Sequence, residues 1–148
     1  ITNRLMSIFL RTLIDKRNVN TRVMALLQQR AVVAIIEARE NGETGTVTEN
    51  SFIFSSDCRK IEMVVPSAGG ATEREVVAAF GEVLLHAILA SPHHPKRLLA
   101  IAQQCIRGEI TDLDDLDLRL ERRLSNTIYL PLIAIILTLL LLLYTFSG

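Results

Sequence analysis

Apolar residues recur at spacings of three and four positions along most of the chain, which is the pattern of amphipathic helices. Such a pattern places one apolar face of each helix against a core. Asn-Gly at 41–42 supplies a helix stop, and the Thr72 and Glu75 pair supplies a capping box. The pattern predicts five helices, over residues 3–16, 21–40, 72–90, 96–107 and 111–124.

Alternation replaces the helical spacing in one short stretch. Phe52 and Phe54 share one face of a first run, and the apolar residues at 61, 63 and 65 share one face of a second. The sequence Ser-Ser-Asp-Cys at 55–58 is typical of a turn, so we expect a β-hairpin near 46–65. An isolated hairpin is marginal in water, so its apolar face is expected to pack on the helices of the same chain. The alternative is that it lends an edge to the sheet of another chain.

The C-terminal stretch has a different pattern, because residues 125–148 contain no charged side chain. The run that begins at Ile128 reads IYLPLIAIILTLLLLLYTF, and a membrane-spanning helix needs about 20 mainly apolar residues. Tyr129 and Tyr144 stand near its ends, where aromatic residues favour the membrane interfaces. Pro131 falls in the first turn of the predicted span, where its missing N–H costs least. A helix that is apolar on all sides, in so short a chain, predicts a transmembrane segment.

The expected fold class is therefore mainly α, with a small helical domain and a short β-hairpin over 1–124, followed by one C-terminal transmembrane helix over 125–148. Arg119, Arg122 and Arg123 precede the apolar run, and nothing basic follows it in this sequence. The positive-inside rule then places the domain in the cytosol, or in the matrix or stroma of an organelle. If residue 148 is the natural end, insertion would follow translation, as in tail-anchored proteins.

Two small residues interrupt the bulky run. Ala134 and Thr138 form one small-xxx-small pair, which is a weak signal for association between helices. The run has no ionisable acidic or basic side chain, which argues against a proton or ion pathway carried by this chain alone. We expect the segment to act as an anchor, in a homo- or hetero-oligomer if it packs laterally.

Charge is unevenly distributed, although the net charge is zero. Residues 1–40 carry seven basic and three acidic side chains, and the rest of the chain has the opposite balance. A basic first third predicts attraction to anionic lipid headgroups or to an acidic partner. The expected contact residues are Arg4, Arg11, Lys16 and Arg17. A solvated helix face is the simpler interpretation. Nucleic acid is not an expected partner, because no aromatic residues are interleaved as in the known motifs.

Candidate metal ligands fail on spacing. The acidic residues between 112 and 117 lack the Gly and Glu of a calcium loop, and acids in a first turn suit the helix dipole. His86, His93 and His94 have no zinc-site spacing, and we expect His86 to face Glu82 one turn earlier. The sequence therefore assigns no metal and no cofactor.

Candidate nucleophiles are equally sparse. Cys58 and Cys105 have no CxxC partner and are typical of small buried residues in a reducing compartment. Cys58 also stands beside two basic residues, which can lower the pKa of a thiol. The GxSxG and phosphate-loop motifs are absent from the sequence. No catalytic residue is assigned.

These features predict a non-enzymatic, single-span accessory, scaffold or assembly subunit of a larger membrane complex, which acts through contacts with lipid and with other subunits. One alternative is a tail-anchored adaptor or regulator that recruits a soluble partner. Another is a membrane-bound enzyme that uses His86, His93, His94 or Cys58.

Overall fold

The computed structural model describes residues 7–64 and 69–147, with the side chains of all of these except 122–130. In this part the chain is mainly helical, with one small antiparallel sheet, as the sequence predicts. Several predicted features lie outside the described residues: Arg4 and the start of the first predicted helix, Val65, and the side chains of Arg122, Arg123, Ile128 and Tyr129.

The elements follow one another with short connections. The first half comprises β1 (Ile8–Phe9), α1 (Leu10–Asp15), α2 (Thr21–Leu26), a π-helical turn (Leu27–Ala31), α3 (Val32–Glu40), a 3-10 turn (Glu49–Ser51), β2 (Phe52–Phe54) and β3 (Ile61–Met63). The second half comprises α4 (Glu73–Leu89), α5 (Lys96–Arg107) and α6 (Leu113–Ser147).

The first predicted helix is wrong at its start, because Ile8 and Phe9 form a strand. Ile8 lies opposite Phe54, and Phe9 lies opposite Ile53, in antiparallel pairing. The helix begins only at Leu10. The strand pairs with the edge of β2 that the hairpin leaves open, and a third strand gives a small sheet stability that two strands lack. The sheet therefore has the order β1-β2-β3.

The predicted hairpin is confirmed, and it packs on the chain's own helices. β2 and β3 pair antiparallel, with Phe52 opposite Met63 and Phe54 opposite Ile61. Phe52 and Phe54 are fully buried, and the Phe52 ring lies 6.1 Å from that of Phe80 in α4, centroid to centroid. The aromatic face of the hairpin is thus part of the core.

The second predicted helix, 21–40, is confirmed and contains a π-helical turn that the spacing of apolar residues did not reveal. Its first turn is capped by Asn20, whose Oδ1 accepts a hydrogen bond from the amide of Val23 at 2.9 Å. It ends as predicted at Asn-Gly: Gly42 has a positive φ of 88°, and the amide of Glu43 returns to the carbonyl of Ala38 at 3.0 Å.

Helices α4 and α5 form a closely packed antiparallel pair. Thr72 caps α4 by accepting from the amide of Glu75 at 3.2 Å, as the sequence predicts. Gly81 lies where the two helices approach most tightly: a Cβ built there would be 2.6 Å from the Cβ of Cys105 and 2.9 Å from the carbonyl oxygen of Ala102. Glycine is therefore required at this crossing.

The first turns of α6 complete the domain. Leu113, Leu116 and Leu120 are buried in the core, against α3, α4, α5 and the π-helical turn. The helix backbone continues without a break through 125–127, which settles one question that the sequence left open. Because α6 begins at Leu113, Pro131 is an interior residue. The prediction that it lies in a first turn is wrong, and the helix loses one backbone hydrogen bond there.

Candidate membrane segment and the adjoining end of the domain

The distal part of α6 presents apolar side chains to its surroundings on all sides. Every described residue from 131 to 147 is exposed. Ten of them are Leu or Ile, from Leu132 to Leu143, and Tyr144 and Phe146 follow. An apolar surface of this extent is much larger than monomeric soluble proteins leave in water. The side chains described in this segment are those of 131–147, and among the described residues no helix is both long enough and apolar enough to cross a membrane.

The small residues of this segment form a shallow notch. Thr138 donates its hydroxyl to the carbonyl of Ala134 at 2.8 Å, so the hydroxyl is satisfied within its own helix. Together with Ile135 and Leu139, these residues line a depression of about 260 Å³. Ala134 and Thr138 thus lie on the same side of α6, where their side chains are smaller than the leucines and isoleucines around them.

Of the three arginines that precede the predicted span, only Arg119 has a described side chain, and that side chain is already in an ion pair. Arg119 lies 3.2 Å from Asp115 as an ion pair, and its Nη1 donates to Gln104 at 3.5 Å. Its charge is therefore balanced within the domain. The side chains of Arg122 and Arg123 lie outside the described residues.

Hydrogen bonds show where α6 leaves the domain. The amide of Leu113 donates to Glu73 at the start of α4. Further along, Gln28 donates to the carbonyl of Leu120 at 2.8 Å, and Arg97 donates to the carbonyl of Arg119. The helix therefore leaves at the end of the domain where α5 begins. Because α4 and α5 are antiparallel, the last turn of α4 lies at this same end.

We call this region the exit end and define it as residues 17–20 and 89–96. Two cavities of about 300 and 400 Å³ lie there, and Arg17, Leu89 and Ala90 line both of them. His94 and Asn20 line the larger one, which brings two separate parts of the chain together. Arg17 and Lys16 were predicted as contact residues from charge alone, and both are exposed beyond the last turn of α1.

Arg11, the other described member of that predicted set, has a different environment. It lines a cavity of about 150 Å³ with Glu49, Glu82 and His86. His86 contacts Glu49 of the 3-10 turn through its Nδ1, while Glu82, the neighbour expected from the sequence, lines the same cavity. Glu49 lies 37 positions away in sequence, and helical spacing cannot reveal such a partner. Arg11 therefore lies beside two acidic groups and does not belong to a purely basic surface.

The remaining candidate residues from the sequence are two histidines and two cysteines, and their surroundings are those of structural residues. His93 and His94 are exposed in the turn between α4 and α5, where the His93 amide donates to Ser91. In the described part of the chain, no three His, Cys, Asp or Glu side chains are close enough to hold a metal ion. Both cysteines are free: Cys58 lies in the hairpin turn near Asn20, and burial raises the pKa of Cys105 to about 12.

The sequence groups Asp117 with the acidic residues at the start of a helix. The structure gives it a different environment from theirs. It is half-buried on α6, and its Oδ1 has no hydrogen-bond partner among the described residues. Burial, with the carboxylates of Glu121 and Asp114, raises the pKa of Asp117 above its ordinary value of 3.8. The folded state therefore binds this proton more tightly than the unfolded state. Stability from this group is full below the unfolded pKa and is lost as the pH rises through the folded pKa.

We expect Asp117→Asn to stabilise the domain at neutral pH by about 1 kcal/mol, because it removes a charge that burial and two nearby carboxylates disfavour. At about pH 3, where the carboxyl is protonated in both states, the advantage should disappear. Urea unfolding at the two pH values measures both effects. The control is Glu75→Gln, which removes a favourable exposed charge from the first turn of α4, away from Asp117, and should slightly destabilise. Equal gains from both variants would contradict the assignment.

Comparison with known proteins identifies no relative. No family model, no curated protein and no solved structure matches the chain. A function for this chain therefore has to be inferred from the apolar segment of α6 and from the exit end beside it.

Proposed function

We propose that this protein is a single-span, membrane-anchored accessory, scaffold or assembly subunit of a larger membrane complex. The observation that carries the proposal is the run of exposed apolar side chains over 131–147 on a helix that starts inside the domain. The helical domain would contact lipid headgroups and neighbouring subunits, and the apolar segment would hold it at the bilayer.

The length of the segment supports this proposal. The proposed span begins at Ile128, three residues before the described side chains resume at Pro131, and ends at Phe146. At about 1.5 Å per residue, these positions cover roughly 28 Å, which is close to the thickness of a bilayer's hydrocarbon core. In a bilayer the helix satisfies its own backbone groups, and Thr138 and Thr145 satisfy their hydroxyls on the preceding turn.

The proposed orientation places the domain in the cytosol, matrix or stroma. Basic residues lie on the domain side of the apolar segment, and the positive-inside rule favours retaining them on the side of synthesis. Along α6, the described basic residue nearest to the start of the proposed span is Arg119. Arg97 donates to the carbonyl of Arg119, and Arg17 and Lys96 are exposed at the exit end. Tyr144 would then lie near the opposite interface.

A role through contacts is supported by the environment of the groups considered for catalysis. Cys58 receives a long hydrogen bond from Asn20 at 3.8 Å, His86 pairs with Glu49, and Cys105 is buried under Gly81. Each of these three side chains is therefore in a contact that is typical of a structural residue.

Purification from native membranes in mild detergent tests the proposal. We expect the chain to elute in one discrete complex larger than a single copy with its detergent belt. A matched variant, Ile136→Arg with Leu140→Arg, changes two exposed positions of α6 and leaves the domain surface intact. If the role is that of a membrane subunit, this variant loses its partners because it does not enter the bilayer. If the chain is an adaptor for a soluble partner, the variant still binds it. A clean monomer in the wild-type preparation would contradict the subunit role, and capture of a soluble partner by crosslinking before extraction would then favour the adaptor.

A further inference from the structure

Exposed basic residues lie at the end of the domain from which α6 leaves. Arg17 and Lys96 are exposed at the exit end, together with the His93 and His94 turn. We infer that the exit end binds the headgroups of anionic lipids through these residues, with Leu89 at the boundary of the acyl region. The inference rests on the proposed function, since headgroups come within reach only if α6 enters a bilayer.

The position of the exit end along α6 is the first support. Leu120, where Gln28 contacts the helix, lies eight residues before Ile128, the start of the proposed span. Eight helical residues cover about 12 Å. The headgroup layer on one side of a bilayer accounts for roughly 5–8 Å of this distance. The exit end therefore lies at, or within about one Debye length of, the charged surface.

The charge of the exit end is the second support. Arg17 lines both cavities of this region. His94 lines the larger one, and His86, beside the smaller one, is paired with Glu49. Among the described residues that line the two cavities, none is acidic. Arg119, in contrast, is occupied by Asp115. The basic groups of the exit end are thus presented to a negatively charged surface, and an acidic phospholipid headgroup complements them.

An exposed apolar residue beside these charges is the third support. Leu89 is 58% exposed and lines the same two cavities as Arg17. A single exposed leucine is ordinary by itself. Basic side chains flanking an exposed leucine are the composition of surfaces that lie in the membrane interface. The position of Leu89 at the same end of the domain as the point where α6 leaves gives it this meaning.

The chain has no tryptophan, so Leu89→Trp would introduce a single indole probe at the exit end. The full chain is reconstituted in phosphatidylcholine vesicles with or without phosphatidylserine, and quenching by brominated acyl chains is measured. We expect strong quenching and emission at shorter wavelength in the anionic vesicles, and weaker quenching in the neutral ones. High salt should reduce the difference, because it screens the charges. Pro92→Trp, at another exposed position of the exit end, provides a second probe if the first variant does not fold.

Charge-reversal variants identify the residues responsible. Arg17→Glu with Lys96→Glu, in the probe background, should lower the docked population by at least roughly fivefold for each basic residue removed. The matched control is Arg107→Glu, an exposed position at the opposite end of α5, and it should leave quenching unchanged.

The outcomes separate this inference from the proposed function. If the chain stays in the membrane but the indole remains in water in anionic vesicles, the exit end does not bind headgroups, and only the inference fails. Protection of the indole solely after an acidic protein partner is added would likewise overturn it. If the chain does not enter vesicles at all, the proposed anchor fails as well.

Discussion

Arginine at two central positions of the apolar segment should release the chain from the membrane. Ile136→Arg and Leu140→Arg each place a charge near the middle of the proposed span, at a cost of about 2.5–3.5 kcal/mol per residue on insertion scales. The pair therefore costs roughly 5–7 kcal/mol, which is enough to abolish insertion. Flotation of the expressed chain with membranes in a density gradient measures the effect, and we expect the variant to remain at the bottom.

The control for this prediction keeps the positions and removes only the charge. Ile136→Ala with Leu140→Ala leaves an apolar helix, so this variant should float with the membranes. Both positions are more than half exposed on α6, so neither pair disturbs the packed domain. Flotation of the arginine variant at the wild-type level would contradict a span centred on these residues.

Gly81→Ala should strongly destabilise the helical domain. The added methyl group would lie 2.6 Å from the Cβ of Cys105 and 2.9 Å from the carbonyl of Ala102, so α4 and α5 must move apart. Overpacking of this kind costs about 1–3 kcal/mol, and sometimes more. Alanine's better helix propensity offsets about 1 kcal/mol. Because the clash includes backbone, we expect a net loss of about 2 kcal/mol, or a fall in Tm of roughly 4 °C for each kcal/mol.

Thermal unfolding followed by circular dichroism, in detergent, measures this loss. The matched control is Glu82→Ala, at the next position of the same helix, where the side chain is exposed. It changes helix propensity without introducing a clash, so its Tm should stay close to that of the wild type. An unchanged or higher Tm for Gly81→Ala would show that the two helices are not packed as tightly as the structure has them.

Local signals in the sequence were sufficient for most helices. The cap at Thr72 and the stop at Gly42 act between neighbouring residues, so the sequence alone located them. The strand Ile8–Phe9 could not be predicted in this way, because it depends on pairing with β2 more than 40 residues away. Its two residues also fit the helical spacing of Leu10 and Leu13, and pairing with the sheet outweighed that local preference.

The exit end was predictable only in part, for the same physical reason. The charge of Arg17 is visible in the sequence, but its neighbours Leu89 and His94 belong to the distant end of α4 and to the turn that follows it. Only the packing of α1 beside the end of α4 brings them together. The same packing explains why Arg11, equally basic, lies beside Glu49 and Glu82 instead. Net charge over a segment cannot distinguish these two positions.

Extraction of native membranes at alkaline pH tests the anchor most directly. This treatment removes proteins held at the surface by charge and leaves those with an inserted helix. The full chain should remain in the membrane pellet and should be released only by detergent. Recovery of the chain in the alkaline supernatant would contradict the proposal that residues 128–146 cross the bilayer.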